Sequence, residues 1–143
     1  MRPRSIAITS GKGGTGKTTL TANLGVALGA LGRDVTILDA DIGMANLALV
    51  VGMQKVELSL SDALMGKAEV PDVVHENYGI KVVPMGIRFE DAHEALSNVK
   101  RERVEEVVEE LLRQTEFLLV DAAAGVQDST IISIASTREM LPV

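Results

Sequence analysis

A glycine-rich loop between an apolar run and a helical pattern constrains the fold of this chain more than any other feature. Residues 5–9 read SIAIT, residues 11–19 read GKGGTGKTT, and an apolar helical pattern follows them. Residues 11–18 fit the pattern G-x-x-x-x-G-K-[ST], in which backbone N–H groups turn inward and hold phosphate oxygens at a helix N-terminus. The order strand, loop, helix is the context that this pattern requires. The sequence therefore predicts a P-loop that binds a nucleoside triphosphate.

The pattern assigns a task to the polar residues at the end of the loop. We expect Lys17 to neutralise the outer phosphates and Thr18 to offer its hydroxyl to Mg²⁺. The residues predicted to bind the nucleotide here are Gly11, Lys12, Gly13, Gly14, Thr15, Gly16, Lys17, Thr18 and Thr19. A plain glycine-rich turn is the alternative, but eight fitted positions in the right context favour the P-loop.

Length and composition indicate one domain and limit its partners. A chain of 143 residues with 46% hydrophobic residues buries roughly two-thirds of its unfolded surface. The absence of cysteine excludes disulfides and a self-contained iron–sulfur ligand set within this sequence. A net charge of −6 and the scarcity of aromatic residues argue against direct nucleic-acid binding. No segment predicts a signal peptide or a membrane-spanning helix, so we expect a cytoplasmic protein.

Strand and helix patterns alternate along the chain. Strands are predicted over residues 6–9, 34–39, 79–84 and 117–121, with another beginning at 139–143. Helices are predicted over residues 17–31, 58–65, 98–114 and 128–136. Apolar runs without polar alternation indicate strands that are covered on both faces. The fold class predicted is therefore α/β, a doubly wound and mainly parallel sheet with helices on both faces.

Side-chain patterns also predict how the helices pack. In the first helix one apolar stripe is expected to face the sheet: Leu20, Leu24, Ala27, Leu28 and Leu31. Gly25 and Gly29 inside that helix cost roughly 1 kcal/mol each relative to alanine, which close packing on the sheet would explain. In helix 98–114 the valines and leucines are expected to face inward and the glutamates to face solvent. His75 is expected to lie in a loop.

Acidic residues follow two of the predicted strands. In a parallel sheet, ligands bind beyond the carboxyl ends of the strands, so Asp39, Asp41 and Asp121 are expected to converge on the P-loop. Asp121 follows four apolar residues, which is typical of a Walker B strand whose carboxylate holds Mg²⁺ directly or through water. A helix or loop cap is the alternative for Asp121.

The second loop lysine connects the chain with a known family. Residues 12–18 read KGGTGKT, which resembles the deviant Walker A loop of the MinD/ParA family of dimeric ATPases. In that family the first lysine reaches across a dimer interface to the partner's phosphates. The resemblance implies this role for Lys12, whereas a lysine that points into solvent is the alternative.

The segment after the second strand is similar to the first switch of the MinD branch. Residues 38–47 read LDADIGMANL, and the MinD pattern is D-x-D followed by N-L. The resemblance implies that Asp41 orients or deprotonates the attacking water and that Asp39 supports the metal shell. It implies that Asn46 helps to place the water or couples to the partner subunit. ParA partition proteins usually carry D-x-D-P-Q here, so the MinD branch is favoured.

The second switch and the length depart from the family pattern. Residues 121–125 read DAAAG, where MinD-like chains commonly read D-x-P-A-G. Gly125 can still present its N–H to a γ-phosphate, so we expect nucleotide binding to persist and the switching rate to change. The family continues well beyond residue 143, so residues 1–143 are expected to form an N-terminal portion of a P-loop ATPase domain.

The resemblance implies a MinD-like ATPase that uses ATP/ADP and Mg²⁺ and forms an ATP-dependent homodimer. Its predicted catalytic residues are Lys12, Lys17 and Asp41, and its predicted metal residues are Thr18, Asp39 and Asp121. A regulatory protein partner, a role in division-site placement and peripheral membrane attachment through a C-terminal helix outside this sequence are further implications. The alternatives are a ParA-like ATPase for partition or flagellar number, and a non-catalytic nucleotide-binding fragment.

Overall fold

A sheet of six strands forms the centre of the part of the chain that the structure describes. The structure is a computed structural model, and it describes residues 2–9, 16–40, 58–85, 100–122 and 139–143. The strands are β1 (Arg4–Thr9), β2 (Val35–Ala40), β3 (His75–Asn77), β4 (Ile80–Val83), β5 (Phe117–Ala122) and β6 (Glu139–Pro142). Their order across the sheet is β3-β4-β2-β5-β1-β6. Neighbouring strands are parallel except β3 and β4, which form an antiparallel pair.

Helices cover both faces of this sheet, as the sequence predicted. They are α1 (Lys17–Ala30), α2 (Leu60–Leu64), α3 (Val70–Val73) and α4 (Arg101–Arg113). One core cluster joins α1 to alternate strand residues such as Ile37 and Leu119. The other joins α2, α3 and α4 to the intervening residues, such as Leu38 and Val120. Because successive strand residues point to opposite faces, the apolar runs of β2 and β5 supply both cores.

Helix α1 approaches the sheet most closely through small residues. A Cβ atom at Gly25 would lie 2.5 Å from Cδ1 of Ile37, and one at Gly29 would lie 2.9 Å from Cγ2 of Ile80. This confirms the close packing that the glycines predicted. The predicted stripe is right for Leu24 and Leu28, which pack against the core on this face. It is wrong at its ends, since Leu20 is 39% and Leu31 is 77% exposed. The glycines take the position nearest the sheet, because only there can the backbone approach the strands closely.

The long helix α4 agrees with its predicted packing. Its valines and leucines are buried: Val104, Val107, Val108, Leu111 and Leu112. The glutamates lie on the outer side, where Arg101 pairs with Glu105 and Arg103 pairs with Glu106. Such surface pairs contribute little to stability, so the buried stripe is what holds the helix to the sheet.

The segment before β4 is more ordered than the sequence predicted. Helix α3 and strand β3 were not predicted, and His75 lies in β3 rather than in a loop. Its Nε2 atom is 2.8 Å from the backbone oxygen of Leu58. Tyr78 and Gly79, with φ of 51° and 76°, connect β3 to β4 in a tight hairpin. The predicted strand 79–84 is therefore the second strand of that hairpin.

Some predictions fall on residues that the structure does not describe. They include the helix over residues 128–136 and most of the P-loop. Over the described ranges no helix is long and apolar enough to cross a membrane.

Candidate functional site

The site is built where helix α1 begins, and Gly16 makes that beginning possible. Gly16 precedes the helix with φ 83° and ψ 16°, the left-handed conformation that residues with a Cβ atom rarely adopt. Its carbonyl oxygen accepts the N–H of Leu20 at 2.9 Å. The N–H groups of a first helical turn have no partners within the helix and attract anions. The α1 N-terminus is therefore suited to a phosphate group.

Two aspartates come to this place from neighbouring parallel strands. Asp39 lies near the carboxyl end of β2 and Asp121 near the carboxyl end of β5, and the two are register partners across the β2–β5 pair. Alternation along each strand puts them on the same face as Ile37 and Leu119, which pack against α1. Both carboxylates therefore lie on the α1 side of the sheet, as the prediction from strand ends required.

Lys17 and Thr18 contact Asp121 directly. The ammonium group of Lys17 forms an ion pair with Oδ1 of Asp121. The hydroxyl of Thr18 donates a hydrogen bond to Oδ2 of the same carboxylate at 2.9 Å. Lys17 is 6% exposed and Asp121 is 1% exposed. Both carboxylate oxygens of Asp121 are thus engaged by the start of α1 in a site closed to solvent.

Buried charges meet at this site. Among the described residues, the buried charged side chains are Lys17, Asp39 and Asp121. Buried charges are costly unless they are paired or bind a metal. The two carboxylates are groups with which a bound cation could pair.

The residues present fit Mg²⁺. Thr18 donates its proton to Asp121 and keeps the lone pairs of its hydroxyl oxygen, with which it can bind a metal. Mg²⁺ prefers oxygen ligands and is usually held by one or two carboxylates together with waters and substrate phosphates. In the described part of the chain no group of three or more His, Cys, Asp or Glu residues could hold a metal.

The predicted site residues divide into two groups. The structure brings Gly16, Lys17, Thr18, Asp39 and Asp121 to one end of α1, and Thr19 is exposed on the same turn. The other predicted residues lie outside the described ranges: Gly11, Lys12, Gly13, Gly14, Thr15, Asp41, Asn46 and Gly125.

The sequence did not predict the direct pairing of Lys17 with Asp121. The motifs assign Lys17 to phosphate and Asp121 to Mg²⁺, and the two residues are 104 positions apart. A second unpredicted contact lies within α1, where the Thr21 hydroxyl donates to the Lys17 carbonyl oxygen at 2.8 Å. Thr21 is fully buried, so this bond helps to fix the first turn that carries Lys17.

A cavity lies away from this site. Its volume is about 480 Å³, and it is lined by Asp34, Val35, Glu76, Asn77, Gly79, Ile80 and Lys81. These residues surround the start of β2 and the β3–β4 hairpin, at the end of the sheet opposite to Asp39 and Asp121. The cavity is therefore separate from the candidate site.

Comparison with known proteins agrees with this geometry. A family profile described as "ParA: NUBPL iron-transfer P-loop NTPase" matches residues 3–141. This chain belongs to the ParA/MinD family of P-loop NTPases. Members of the ParA/MinD family are P-loop ATPases. The profile's description mentions iron transfer, but this sequence contains no cysteine, so it carries no thiolate ligands for iron.

Individual relatives are identical to this chain at a third or more of the aligned positions. An uncharacterised ATP-binding protein of Methanocaldococcus jannaschii is 44% identical over 97% of this chain and 52% of its own length. The antiactivator FleN of Pseudomonas aeruginosa is 34% identical over 96% of this chain and 49% of its own length. This chain therefore spans about half the length of these relatives.

Solved MinD structures share the fold. The septum site-determining protein MinD of Pyrococcus horikoshii, in complex with Mg-ADP, is 38% identical with a TM-score of 0.84. That match covers 99% of this chain and 57% of the Pyrococcus chain. MinD in a MinC:MinD complex from Aquifex aeolicus is 31% identical with a TM-score of 0.79, over 97% of this chain and 55% of that chain. Nucleotide and Mg²⁺ are thus ligands found in the ParA/MinD family.

Proposed function

We propose that residues 1–143 form the nucleotide-binding part of a MinD-like ATPase that switches between monomer and dimer. The observation that carries this proposal is the meeting of Lys17, Thr18 and Asp121 at the N-terminus of α1. A cation, a hydroxyl and a carboxylate at a helix start are the groups with which P-loop enzymes hold a nucleotide and its metal. Membership of the ParA/MinD family and the Mg-ADP in a related structure support the same proposal.

Each site residue that the structure describes then has a part in phosphoryl transfer to water. Lys17 binds the outer phosphate oxygens, and the N–H groups of the first α1 turn complete the anion site. Thr18 ligates Mg²⁺, with Asp121 and Asp39 placed to hold it directly or through water. When bound, the metal neutralises the charge on the phosphates and so stabilises charge in the transition state. The buried position of Lys17 and Asp121 keeps bulk water away from these charges.

Residues outside the described ranges complete the catalytic proposal. Asp41 positions the attacking water and Asn46 assists it or couples it to the partner subunit, while Gly125 donates its N–H to the γ-phosphate. Lys12 acts on the nucleotide of the other subunit, so that ATP favours a face-to-face homodimer and hydrolysis releases it. These roles rest on the resemblance of residues 12–18 and 38–47 to the MinD branch.

The cellular role follows from the state of the dimer. We propose that this role is the spatial regulation of cell division, with a regulatory protein as partner. Attachment to the membrane surface would use sequence beyond these 143 residues. The names of the related proteins, septum site-determining MinD and a MinC:MinD complex, support this choice. We do not include direct nucleic-acid binding, because the sequence carries a net charge of −6.

A second candidate is a ParA-like ATPase that positions cargo or sets flagellar number. The 34% identity to the antiactivator FleN favours the flagellar role. Residues 39–46, DADIGMAN, also resemble the D-A-D-x-G-x-A-N pattern of the flagellar-number branch. A third candidate is a nucleotide-binding fragment without catalysis, in which the altered second switch at residues 121–125 prevents turnover. The ion pair of Lys17 with Asp121 is compatible with all three, so activity and localisation must separate them.

One set of experiments on the intact natural chain tests the proposal. ATP binding by calorimetry, phosphate release and the ATP-dependent change in molar mass are measured with Mg²⁺. The MinD-like switch predicts nucleotide binding, slow turnover and a dimer that forms with ATP but not with ADP. Binding without turnover under any condition would favour the non-catalytic fragment. In cells, foci at the flagellar pole instead of the division site would favour the FleN-like function.

A further inference from the structure

The ion pair at the start of α1 joins two residues to which the motifs assign different ligands, phosphate for Lys17 and Mg²⁺ for Asp121. Lys17 pairs with Oδ1 of Asp121, while the Thr18 hydroxyl donates to Oδ2 at 2.9 Å. We propose that Asp121 is the counter-ion that holds Lys17 in the nucleotide-free site, so that nucleotide loading exchanges Lys17 for a divalent cation at Asp121. The proposal deepens the nucleotide-binding function and rests on it.

Burial makes this exchange necessary. Lys17 is 6% exposed and Asp121 is 1% exposed, so water does not solvate either charge freely. Removing one partner from a buried ion pair leaves the other uncompensated, which is strongly unfavourable. When Lys17 moves from Asp121 to a phosphate, the carboxylate therefore needs another cation. A nucleotide that arrives without metal brings more negative charge and does not supply one.

The neighbouring carboxylate increases the effect. Asp39 is the register partner of Asp121 on β2 and is 1% exposed. Two carboxylates on adjacent strands repel each other in a medium of low polarity. The Lys17 ammonium group offsets the charge of Asp121, and a divalent cation near both carboxylates would reduce this repulsion further. Asp121 thus positions Lys17 before loading and the metal afterwards.

Coupling between metal and nucleotide is the measurable consequence. We expect the intact natural chain to bind ADP on the order of 100-fold more tightly with excess Mg²⁺ than with EDTA, as the cost of an uncompensated buried charge indicates. In Asp121→Asn, Lys17 can move to a phosphate without leaving an uncompensated carboxylate at position 121. ADP without metal should therefore bind about 10-fold more tightly to the variant than to the parent, and Mg²⁺ should then improve binding by less than about 3-fold.

A matched control uses a second lysine–aspartate pair in the described part of the chain. Lys81 Nζ lies 2.9 Å from Oδ1 of Asp34, at the opposite end of the sheet and with Asp34 largely exposed. Asp34→Asn makes the same chemical change and should leave both ADP affinities within about 2-fold of the parent, because exposed pairs contribute little.

A second measurement examines the empty site itself. Thermal unfolding without nucleotide is compared for the parent, Lys17→Met, Asp121→Asn and the double variant. Because the two residues form one buried pair, the double variant should melt no lower than the less stable single variant. Additive losses would overturn the proposal. If a single variant fails to fold but the double variant folds, the result supports the pair. If all three variants fail to fold, the ADP titrations of the parent protein with Mg²⁺ and with EDTA decide.

The outcomes separate this proposal from the proposed function. If the parent does not bind Mg·ADP, the nucleotide-binding function is wrong. If it binds ADP equally well with Mg²⁺ and with EDTA, the function stands and the exchange is overturned. If Asp121→Asn lowers the affinity for metal-free ADP, Asp121 does not hold Lys17 away from the phosphates, and the exchange is again overturned.

Discussion

Asp39 and Asp121 are register partners on the neighbouring parallel strands β2 and β5, and each is 1% exposed. Both project to the face of the sheet that α1 covers, where Lys17 and Thr18 contact Asp121. The sheet thus places two carboxylates beside the helix start that the P-loop motif predicts as a phosphate site. This arrangement explains how one short helical turn and two strand ends can hold both an anion and a metal.

The close contact of α1 with the sheet predicts a large effect of volume at Gly25. A Cβ atom there would lie 2.5 Å from Ile37 Cδ1, and Ile37 is fully buried. We expect Gly25→Val to lower the free energy of unfolding by about 2–3 kcal/mol, because overpacking outweighs the gain in helix propensity. Denaturant unfolding of the intact chain measures the change.

The control for Gly25 is Ala27→Val on the exposed side of the same helix. It introduces the same β-branched side chain without a steric conflict and should cost less than about 1 kcal/mol. Helix propensity alone would favour Gly25→Val and disfavour Ala27→Val. A loss for Gly25→Val no larger than the loss for Ala27→Val would therefore contradict close packing at Gly25.

The sequence predicted the parallel sheet because β2 and β5 are continuous apolar runs, which are typical of strands covered on both faces. It did not predict β3, since His75, Glu76 and Asn77 have no apolar alternation. Their extended backbone comes from pairing with β4, where Glu76 lies opposite Lys81. The ends of the stripe in α1, Leu20 and Leu31, were predicted wrongly, because apolarity does not reveal which side of a helix must approach a sheet closely.

The sequence predicted which residues form the candidate site but not which of them contact each other. Motif positions identified Lys17, Thr18 and Asp121, and the rule for strand ends placed Asp39 beside them. The pairing of Lys17 with Asp121 was not predicted, because the motifs assign Lys17 to phosphate and Asp121 to Mg²⁺ and say nothing of a contact between the two. That contact depends on the tertiary position of α1 over β5.

Asp41 is predicted to act on the water rather than on the bound nucleotide. Asp41→Ala should therefore keep ATP affinity within a few-fold, reduce phosphate release by about 100-fold or more, and trap the ATP-bound dimer. Calorimetric titration, a phosphate-release assay and light scattering measure the three effects. A variant that hydrolyses ATP at the parental rate would remove Asp41 from this role.

Lys12 is predicted to act in the neighbouring subunit. In an isolated subunit Lys17 already serves the phosphates, so Lys12→Ala should still bind nucleotide as a monomer. It should lose ATP-dependent dimerisation and stimulated hydrolysis, as expected for a residue that acts like the arginine fingers worth roughly 10³ to 10⁵ in rate. Sedimentation with ATP and a phosphate-release assay with the stimulating partner measure both effects.

Mixing the two variants tests whether Lys12 acts in trans. In a dimer of Lys12→Ala with Asp41→Ala, one composite site keeps both Asp41 and the partner's Lys12, while the other site lacks both. Partial recovery of phosphate release is therefore expected on mixing. No recovery at any mixing ratio would argue against a lysine that crosses the interface.

The titration of Lys17→Ala with Mg·ATP and Mg·ADP tests the nucleotide site most directly. Lys17 is the buried cation of the described site, and without it the phosphates lose the fixed positive charge that the helix start offers them. We expect loss of detectable affinity for both nucleotides in calorimetry. The control Lys67→Ala removes an exposed lysine and should bind like the parent. Unchanged affinity of Lys17→Ala, in a variant that is still folded, would contradict the assignment of this site to nucleotide binding.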